Sequence, residues 1–149
     1  MSRLVLIFFV LIAACPLVGC GGKPNMVSVK GKVTFDGKPL KGCKVAFTAK
    51  VTEFDPERHG TGYGITDENG MYELQHPNGT KGIFPGTYRV TFSAWVDNKG
   101  NVIPPEAKPS EVPGGVKNLL PPKYETLSDT PESASVGSSG GEFNFQLAK

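Results

Sequence analysis

Histidine, tryptophan and cysteine are scarce in this chain, which holds two, one and three of them in 149 residues. The two histidines, His59 and His76, lie in separate segments, and neither a His-Glu-x-x-His nor a Cys-x-x-Cys motif occurs. Zinc sites are commonly built from such closely spaced ligand pairs. The sequence therefore predicts no metal site, and it contains no motif that indicates a cofactor.

Clusters of positive charge and long apolar runs are missing as well. The formal net charge is only +2, and no basic run is interleaved with aromatic residues, so we expect no nucleic-acid binding. The apolar run from Leu4 to Ala14 spans about 11 residues, whereas a membrane-spanning helix needs about 20. This run is therefore too short to be a permanent transmembrane anchor.

The N-terminus instead has the three parts of an export signal: a basic residue at Arg3, the short apolar run, and small residues before a cleavage point. Its end, Leu17-Val18-Gly19-Cys20, resembles the lipobox of bacterial lipoproteins. The resemblance implies cleavage between Gly19 and Cys20 and acylation of Cys20, with palmitate among the attached chains. The alternative is an ordinary secreted protein with a chance cysteine near its cleavage site.

This interpretation divides the chain into a signal peptide at 1–19, a lipidated tether at 20–26 and one domain at 27–149. Several acyl chains on Cys20 would give stable membrane attachment, unlike a single chain. We therefore expect a lipid-anchored protein of the cell envelope that faces the periplasm or the exterior. Gly21, where aspartate favours inner-membrane retention in enterobacterial sorting, slightly favours the outer membrane.

Cysteine chemistry is limited in the processed chain. Cys15 leaves with the signal and Cys20 is lipidated, so only Cys43 remains as a thiol and no intrachain disulfide can form. Cys43 shares the apolar phase of its segment, which predicts an inert core residue. With 19 Gly and 13 Pro, turns are frequent and long helices are disfavoured, which indicates a small all-β domain.

Alternation of apolar and polar residues predicts the strands. They are Val27–Phe35, Cys43–Ala49, Tyr63–Thr66, Met71–Leu74, Thr87–Val96 and a closing strand in Glu142–Leu147. We expect the first two to adjoin across the Asp36–Pro39 turn. The next two should form a hairpin in which Asn69 and Gly70 supply positive φ angles. About seven antiparallel strands would pack as a β-sandwich, and a small barrel is the alternative.

The order of several motifs resembles a known family. These are Val33-Thr34-Phe35-Asp36-Gly37-Lys38-Pro39-Leu40, Val45-Ala46-Phe47, Thr66-Asp67-Glu68-Asn69-Gly70-Met71-Tyr72 and Pro85-Gly86-Thr87-Tyr88-Arg89-Val90. They are similar to the carboxypeptidase regulatory-like, or transthyretin-like (prealbumin-like), β-sandwich domain, and the chain resembles its small planctomycete lipoproteins. The resemblance covers residues 27–148 and implies a fold, but it brings no catalytic residues and no function by itself.

The sequence contains no recognised catalytic motif, so we expect a non-enzymatic binding or structural module that contacts an envelope protein or glycan. Trp95 falls on the outward face of its strand, which makes it the candidate ligand contact. The competing interpretation is that the long Pro-, Gly- and Ser-rich stretch at 97–141 folds over Trp95 and hides it. Loops at 51–62 and 98–123 are the other candidate contact regions.

Two further alternatives remain open. A self-associating assembly subunit would present an unpaired edge strand. An envelope hydrolase with an unrecognised site would need a carboxylate and an imidazole to meet, for which Asp55, Glu57 and His59 are the candidates.

Overall fold

The computed structural model describes residues 25–55, 59–104 and 107–149, and these residues form an almost entirely β structure. The strands are β1 (Val29–Phe35), β2 (Lys38–Pro39), β3 (Lys44–Ala49), β4 (Thr61–Ile65), β5 (Met71–Glu73), β6 (Gly86–Ser93), β7 (Trp95–Val96), β8 (Lys117–Asn118), β9 (Ser133–Val136), β10 (Gly141–Glu142) and β11 (Phe145–Leu147). Two short 3₁₀ turns lie at Pro109–Glu111 and Pro122–Tyr124.

The strands assemble into two main sheets. In the first, β1 is central, with β10 and β11 along one edge and β2 and β5 along the other. The second has the order β4-β3-β6-β9, and all its neighbours are antiparallel. A separate ribbon joins β7 to β8. The predicted all-β, sandwich-like class is confirmed.

The core lies between the two main sheets and is rich in aromatic side chains. Phe47 of β3 is fully buried, and its ring centroid lies 6.1 Å from that of Phe145 and 6.5 Å from that of Tyr72. Those two partners belong to the opposite sheet. Edge-to-face and tilted ring pairs of this kind stabilise the fold beyond the contribution of the apolar area that they bury. The core therefore joins strands that are distant in sequence.

Pairing of β1 with β3 was predicted and is wrong, because the two strands lie in opposite sheets. β1 instead turns back onto β2 at Asp36 and Gly37, whose φ angles of 48° and 78° fit a tight two-residue hairpin. The chain then crosses to the second sheet, and Thr66 fixes the crossing. Its hydroxyl donates to the carbonyl of Leu40 at 2.5 Å and accepts the N–H of Cys43 at 2.8 Å.

The second predicted hairpin is right as a turn and wrong as a strand pair. The N–H of Gly70 donates to the carbonyl of Asp67 at 3.0 Å, and Gly70 has a φ of 75°. Asn69, however, does not adopt a positive φ. Beyond the turn the strands diverge, because β4 pairs with β3 while β5 pairs with β1. The chain thus changes sheets at this corner, and Tyr63 and Gln75 form only an isolated bridge.

The C-terminal half departs from the prediction in two ways. β10 and β11 run parallel to β1, so the sandwich is not purely antiparallel. Residues 97–141, predicted as a loop, contain β8 and β9 and reach into β10. The sequence did not predict β9, because small residues give its alternation of apolar and polar positions little contrast. Ala134 and Val136 are nevertheless buried against the core. The described residues therefore form eleven short strands in place of about seven.

Candidate functional site

Trp95 lies where the sequence predicted, on the outward side of the chain after β6. Its neighbours Ala94 and Val96 are buried, whereas Trp95 remains 41% exposed. Two segments hold its backbone: Asn118 pairs with it across the ribbon, and the N–H of Ile103 donates to its carbonyl at 2.8 Å. The long loop therefore packs beside Trp95 without hiding it.

A cleft of about 190 Å³ opens beside Trp95. Its walls come from the end of the second sheet and from the long loop. They comprise Gly42, Lys44, Ser93, Trp95, Ile103, Pro104, Ala107 and Val116. Gly42 is required for this packing: a Cβ there would lie 2.3 Å from a methyl carbon of Val102, and its φ is 70°.

Two further depressions of about 160 and 190 Å³ continue from this cleft along β3 and β6. The three follow the outer face of the second sheet, where register places side chains in rows. The rows are Lys44 with Ser93, Ala46 with Thr91, and Thr48 with Arg89. We call this surface, from Trp95 to the Thr48–Arg89 row, the outer groove. It is a long, shallow channel and not a closed pocket.

The floor of the outer groove carries hydroxyl groups and one amine. Lys44 Nζ stands 5.4 Å from the centroid of the Tyr63 ring, an arrangement that favours a cation. Among the described residues no carboxylate oxygen lies within 4.0 Å of this ammonium, although Glu125 lines the opposite wall. The groove thus combines an exposed indole, a half-exposed phenol and an ammonium without a paired carboxylate among those residues.

Arg89 holds the far wall of the outer groove in place. Its Nη1 donates to the carbonyls of Leu127, Ser128 and Thr130 at 2.6, 3.3 and 3.3 Å. The hydroxyl of Thr130 also donates to the carbonyl of Val90 at 2.6 Å. These bonds cap backbone acceptors and fix the segment after Tyr124 against β6. The guanidinium therefore binds backbone carbonyls, whereas the ammonium of Lys44 stands over the Tyr63 ring and makes no ion pair among the described residues.

Two of the three candidate hydrolytic residues, Asp55 and His59, contact each other through the backbone of their loop. The N–H of Asp55 donates to Nδ1 of His59 at 3.0 Å, and the N–H of His59 donates to the carbonyl of Asp55 at 2.6 Å. The imidazole also packs on the Phe54 ring, with centroids 6.3 Å apart. The contacts of His59 therefore stabilise the loop in which it lies. Glu57 lies outside the described residues.

His76 serves a similar local purpose. Its ring lies edge-on to Phe84, with centroids 6.1 Å apart, and against the Cα of Gly60, where a Cβ would be 2.9 Å from a ring carbon. The fold therefore brings His76 next to the residue that follows His59, which sequence spacing did not reveal. Within the described ranges, no three His, Cys, Asp or Glu side chains are grouped so that they could hold a metal ion.

Cys43 is buried, as its phase predicted, and its fractional exposure is zero. Burial raises the pKa of the thiol to about 12, while a backbone hydrogen bond to Ser93 lowers it by less. A thiol that stays protonated is a poor nucleophile. Cys43 therefore behaves as a small core residue.

The acidic turns also have local tasks. Asp67 Oδ1 accepts the N–H groups of Asn69 and Met71 at 2.8 and 2.9 Å. Asp97 makes the same kind of turn, because its Oδ1 accepts the N–H groups of Lys99 and Asn101. Hydrogen bonding to Asn101 lowers the pKa of Asp97. Both carboxylates are used to cap backbone donors within their turns.

The predicted lipidation residue, Cys20, and the cleavage-site Gly19 lie outside the described residues. No helix in the described part of the chain is long and apolar enough to cross a bilayer.

Comparison with known proteins adds little. Neither the protein-family models nor the curated proteins contain a match to this chain. A solved structure of a 9R-lipoxygenase from Cyanothece PCC8801 aligns with 83% of the chain at 15% identity and a TM-score of 0.36. The aligned part is 16% of that lipoxygenase, and a likeness of this strength supports no inference about fold or function.

The alternation of its strand predicted the outward orientation of Trp95, but the remainder of the outer groove was not predicted. The period of the predicted strand Cys43–Ala49 places Lys44, Ala46 and Thr48 on its outward face. That period does not predict which residues of another strand lie beside them. Their neighbours on β6 follow from the β3–β6 register, which joins residues about 45 positions apart. The groove is thus a product of strand pairing and leaves no local motif.

Proposed function

We propose that the protein is a lipid-tethered, non-catalytic binding module of the bacterial cell envelope. The observation that supports this most directly is Trp95, which stands 41% exposed beside a cleft on a sheet face. A rigid aromatic side chain offers a large contact area at a small cost in conformational entropy. A position so well held by its backbone and yet open to solvent suits recognition of a ligand.

The location of the cleft relative to the N-terminus supports the proposal. Val27, which follows the predicted tether, bridges to Ile83. Ile83 in turn packs against Gly62, the β4 partner of Phe47. Trp95 lies toward the opposite end of β3, up to about 17 Å away along extended chain. Trp95 therefore lies at the end of the second sheet that is far from the point where the predicted tether joins the domain.

The tether itself is argued from sequence. The lipobox-like Leu17–Cys20 follows an apolar run of signal length, and only a short polar spacer precedes β1. The resemblance to carboxypeptidase regulatory-like domains agrees with a non-catalytic role, because those domains act as accessory modules. The outer groove, moreover, presents hydroxyl groups, an ammonium and two aromatic rings, which suit recognition of a ligand.

Sedimentation with envelope fragments tests the proposal. The full chain, purified in detergent, is mixed with fragments from the source bacterium, and the bound fraction is measured. We expect Trp95→Ala to weaken binding by at least about tenfold. Phe54→Ala is the matched control, because Phe54 is 63% exposed but lines none of the three depressions.

Two results would contradict the proposal. One is binding that Trp95→Ala leaves unchanged, which would place recognition elsewhere. The other is release of soluble fragments from the envelope material that a single side-chain substitution abolishes, which would make the protein an enzyme.

A further inference from the structure

We infer that the outer groove binds a carboxylate-bearing glycan chain, of the uronic-acid type, laid along β3 and β6. This inference rests on the proposed function, since it names the ligand class of the same surface. It follows from the shape of the groove, from the groups on its floor and from the distribution of charge around it.

Shape favours a chain over a compact ligand. From the Thr48–Arg89 row to the Lys44–Ser93 row, the sheet advances four residues, and Trp95 lies two further on. At about 3.4 Å per residue, the outer groove is therefore roughly 20 Å long. Its three depressions are of similar size and are open to solvent along this line. A repeating polymer can fill successive depressions with successive units.

The floor favours sugar over peptide. A sheet presents side chains on its face and keeps its backbone N–H and C=O groups for its edges, so an extended peptide would find no ladder of partners there. The floor offers the hydroxyls of Thr48, Thr91 and Ser93 instead, each of which donates and accepts. Hydroxyls of this kind match a polyhydroxylated chain, whose own groups also donate and accept.

The aromatic residues suit the apolar faces of sugar rings. Trp95 forms one end of the outer groove, and Tyr63, 37% exposed, pairs with Ala46 along its β4 side. An aromatic ring covers the C–H face of a pyranose while the hydroxyls around the rim of the sugar remain free to bond. Lys44 lies beside the Tyr63 ring, with its ammonium 5.4 Å from the ring centroid, and it also lines the cleft next to Trp95.

Charge selects for carboxylates. Lys44 stands at the junction of the first two depressions, and Lys50 and Arg89 line the third. Glu125 is the acidic residue on the wall, and it makes no ion pair with Lys44 within the part of the chain that the structure describes. Three cations against one carboxylate favour an anionic ligand, and Lys44 is placed to meet an anion beside Trp95.

Binding by the full chain in detergent micelles to three uronic-acid polymers, polygalacturonate, alginate and hyaluronan, tests the inference. Methyl-esterified polygalacturonate serves as the uncharged match, and poly-L-glutamate supplies repeated carboxylates without sugar rings. We expect binding to at least one uronate and loss of about tenfold or more with Trp95→Ala or Lys44→Met. Lys38→Met, an exposed lysine on the opposite sheet, should bind as the unaltered chain does.

The outcomes separate the two proposals. Equal binding of the methyl ester overturns the requirement for carboxylate, and equal binding of poly-L-glutamate overturns the requirement for a sugar. Failure to bind any of the three uronates overturns the glycan assignment. If Trp95-dependent sedimentation with envelope fragments persists in that case, the proposed binding function stands and its ligand belongs to another class.

Discussion

The hydroxyl of Tyr72 donates to the carbonyl oxygen of Phe143 at 2.7 Å, which joins β5 to the C-terminal segment directly over β1. The residue of β1 beneath this bond is Gly31. A Cβ at Gly31 would lie 1.8 Å from the same carbonyl oxygen and 3.0 Å from the Tyr72 hydroxyl. The absence of a side chain in the middle of the central strand thus permits the two flanking segments to meet.

Gly31→Ala should therefore destabilise the domain strongly. The added methyl group meets backbone, which cannot move aside as a flexible side chain can, so β10 and β11 must shift from β1. We expect a loss of about 3 kcal/mol or more in the free energy of unfolding, measured by urea titration. Gly137→Ala is the control, because a Cβ there meets nothing within 4 Å. Equal stability of the two variants would contradict this account of the sheet.

Tyr72→Phe tests the hydrogen bond without adding volume. Loss of the hydroxyl leaves the Phe143 carbonyl without that donor in a largely buried position, which should cost about 1–2 kcal/mol of unfolding free energy. Tyr63→Phe is the matched control, because the hydroxyl of Tyr63 makes no hydrogen bond among the described residues. The hydrogen bond contributes nothing if both variants unfold at the same urea concentration.

The alternation of apolar and polar residues was sufficient to predict which side chains of the longer strands are buried. Alternation placed Val29, Val33, Val45 and Phe47 inside, and the inward and outward phases of β6 are as predicted. A strand's burial pattern depends on its own period of two, so one segment carries the information. The sheet to which a strand belongs cannot be predicted from its own period, since a strand with one apolar face can join either sheet.

Side-chain hydrogen bonds between distant residues fix the connections between the two sheets, and these connections could not be predicted from the sequence. Thr66, whose hydroxyl binds both Leu40 and Cys43, directs the chain from one sheet to the other, yet in sequence it is an ordinary strand threonine. In the same way, Asn144 Oδ1 accepts the N–H of Lys32 at 2.7 Å, and this bond helps to hold the closing strand parallel to β1. Such side-chain bonds between distant residues are visible only after folding.

Alkaline pH should destabilise the protein through Cys43. The thiol has an ordinary pKa of 9.0 and a folded-state pKa of about 12, because burial penalises the thiolate. A pKa that is raised on folding means that the stabilising contribution is complete below pH 9 and is lost as pH rises toward 12. Between pH 8 and 10 the unaltered protein should lose about 1 kcal/mol more than Cys43→Ala.

Urea titrations of both proteins at pH 8, 9 and 10 measure this difference. The comparison ends at pH 10 because burial also raises the pKa of Tyr72 and of Tyr88, and the resulting loss of stability, which both proteins share, becomes large above pH 10. Parallel curves would show that Cys43 is not desolvated. The native thiol should also react slowly with a disulfide reagent at pH 8 and rapidly after unfolding.

Fluorescence of Trp95, the sole tryptophan, reports on the charge of the outer groove. At low ionic strength the Lys44 ammonium, which lines the same cleft, should attract iodide to the indole and raise its quenching constant. Lys44→Met should reduce the iodide quenching constant and leave that of neutral acrylamide unchanged. Lys38→Met provides the control. Iodide quenching that does not respond to Lys44→Met would remove the electrostatic argument for an anionic ligand.

Replacement of Cys20 tests the membrane tether. A lipobox cysteine supplies the thiol that accepts the diacylglyceryl group, and serine has no such thiol, so Cys20→Ser should abolish labelling by radioactive palmitate. The unprocessed precursor should then accumulate, which gel mobility and mass spectrometry detect. Cys43→Ser is the matched control, because that cysteine lies in the core and should not affect lipid labelling. Continued palmitate labelling and normal membrane fractionation of Cys20→Ser would show that the protein is held in the envelope by another means.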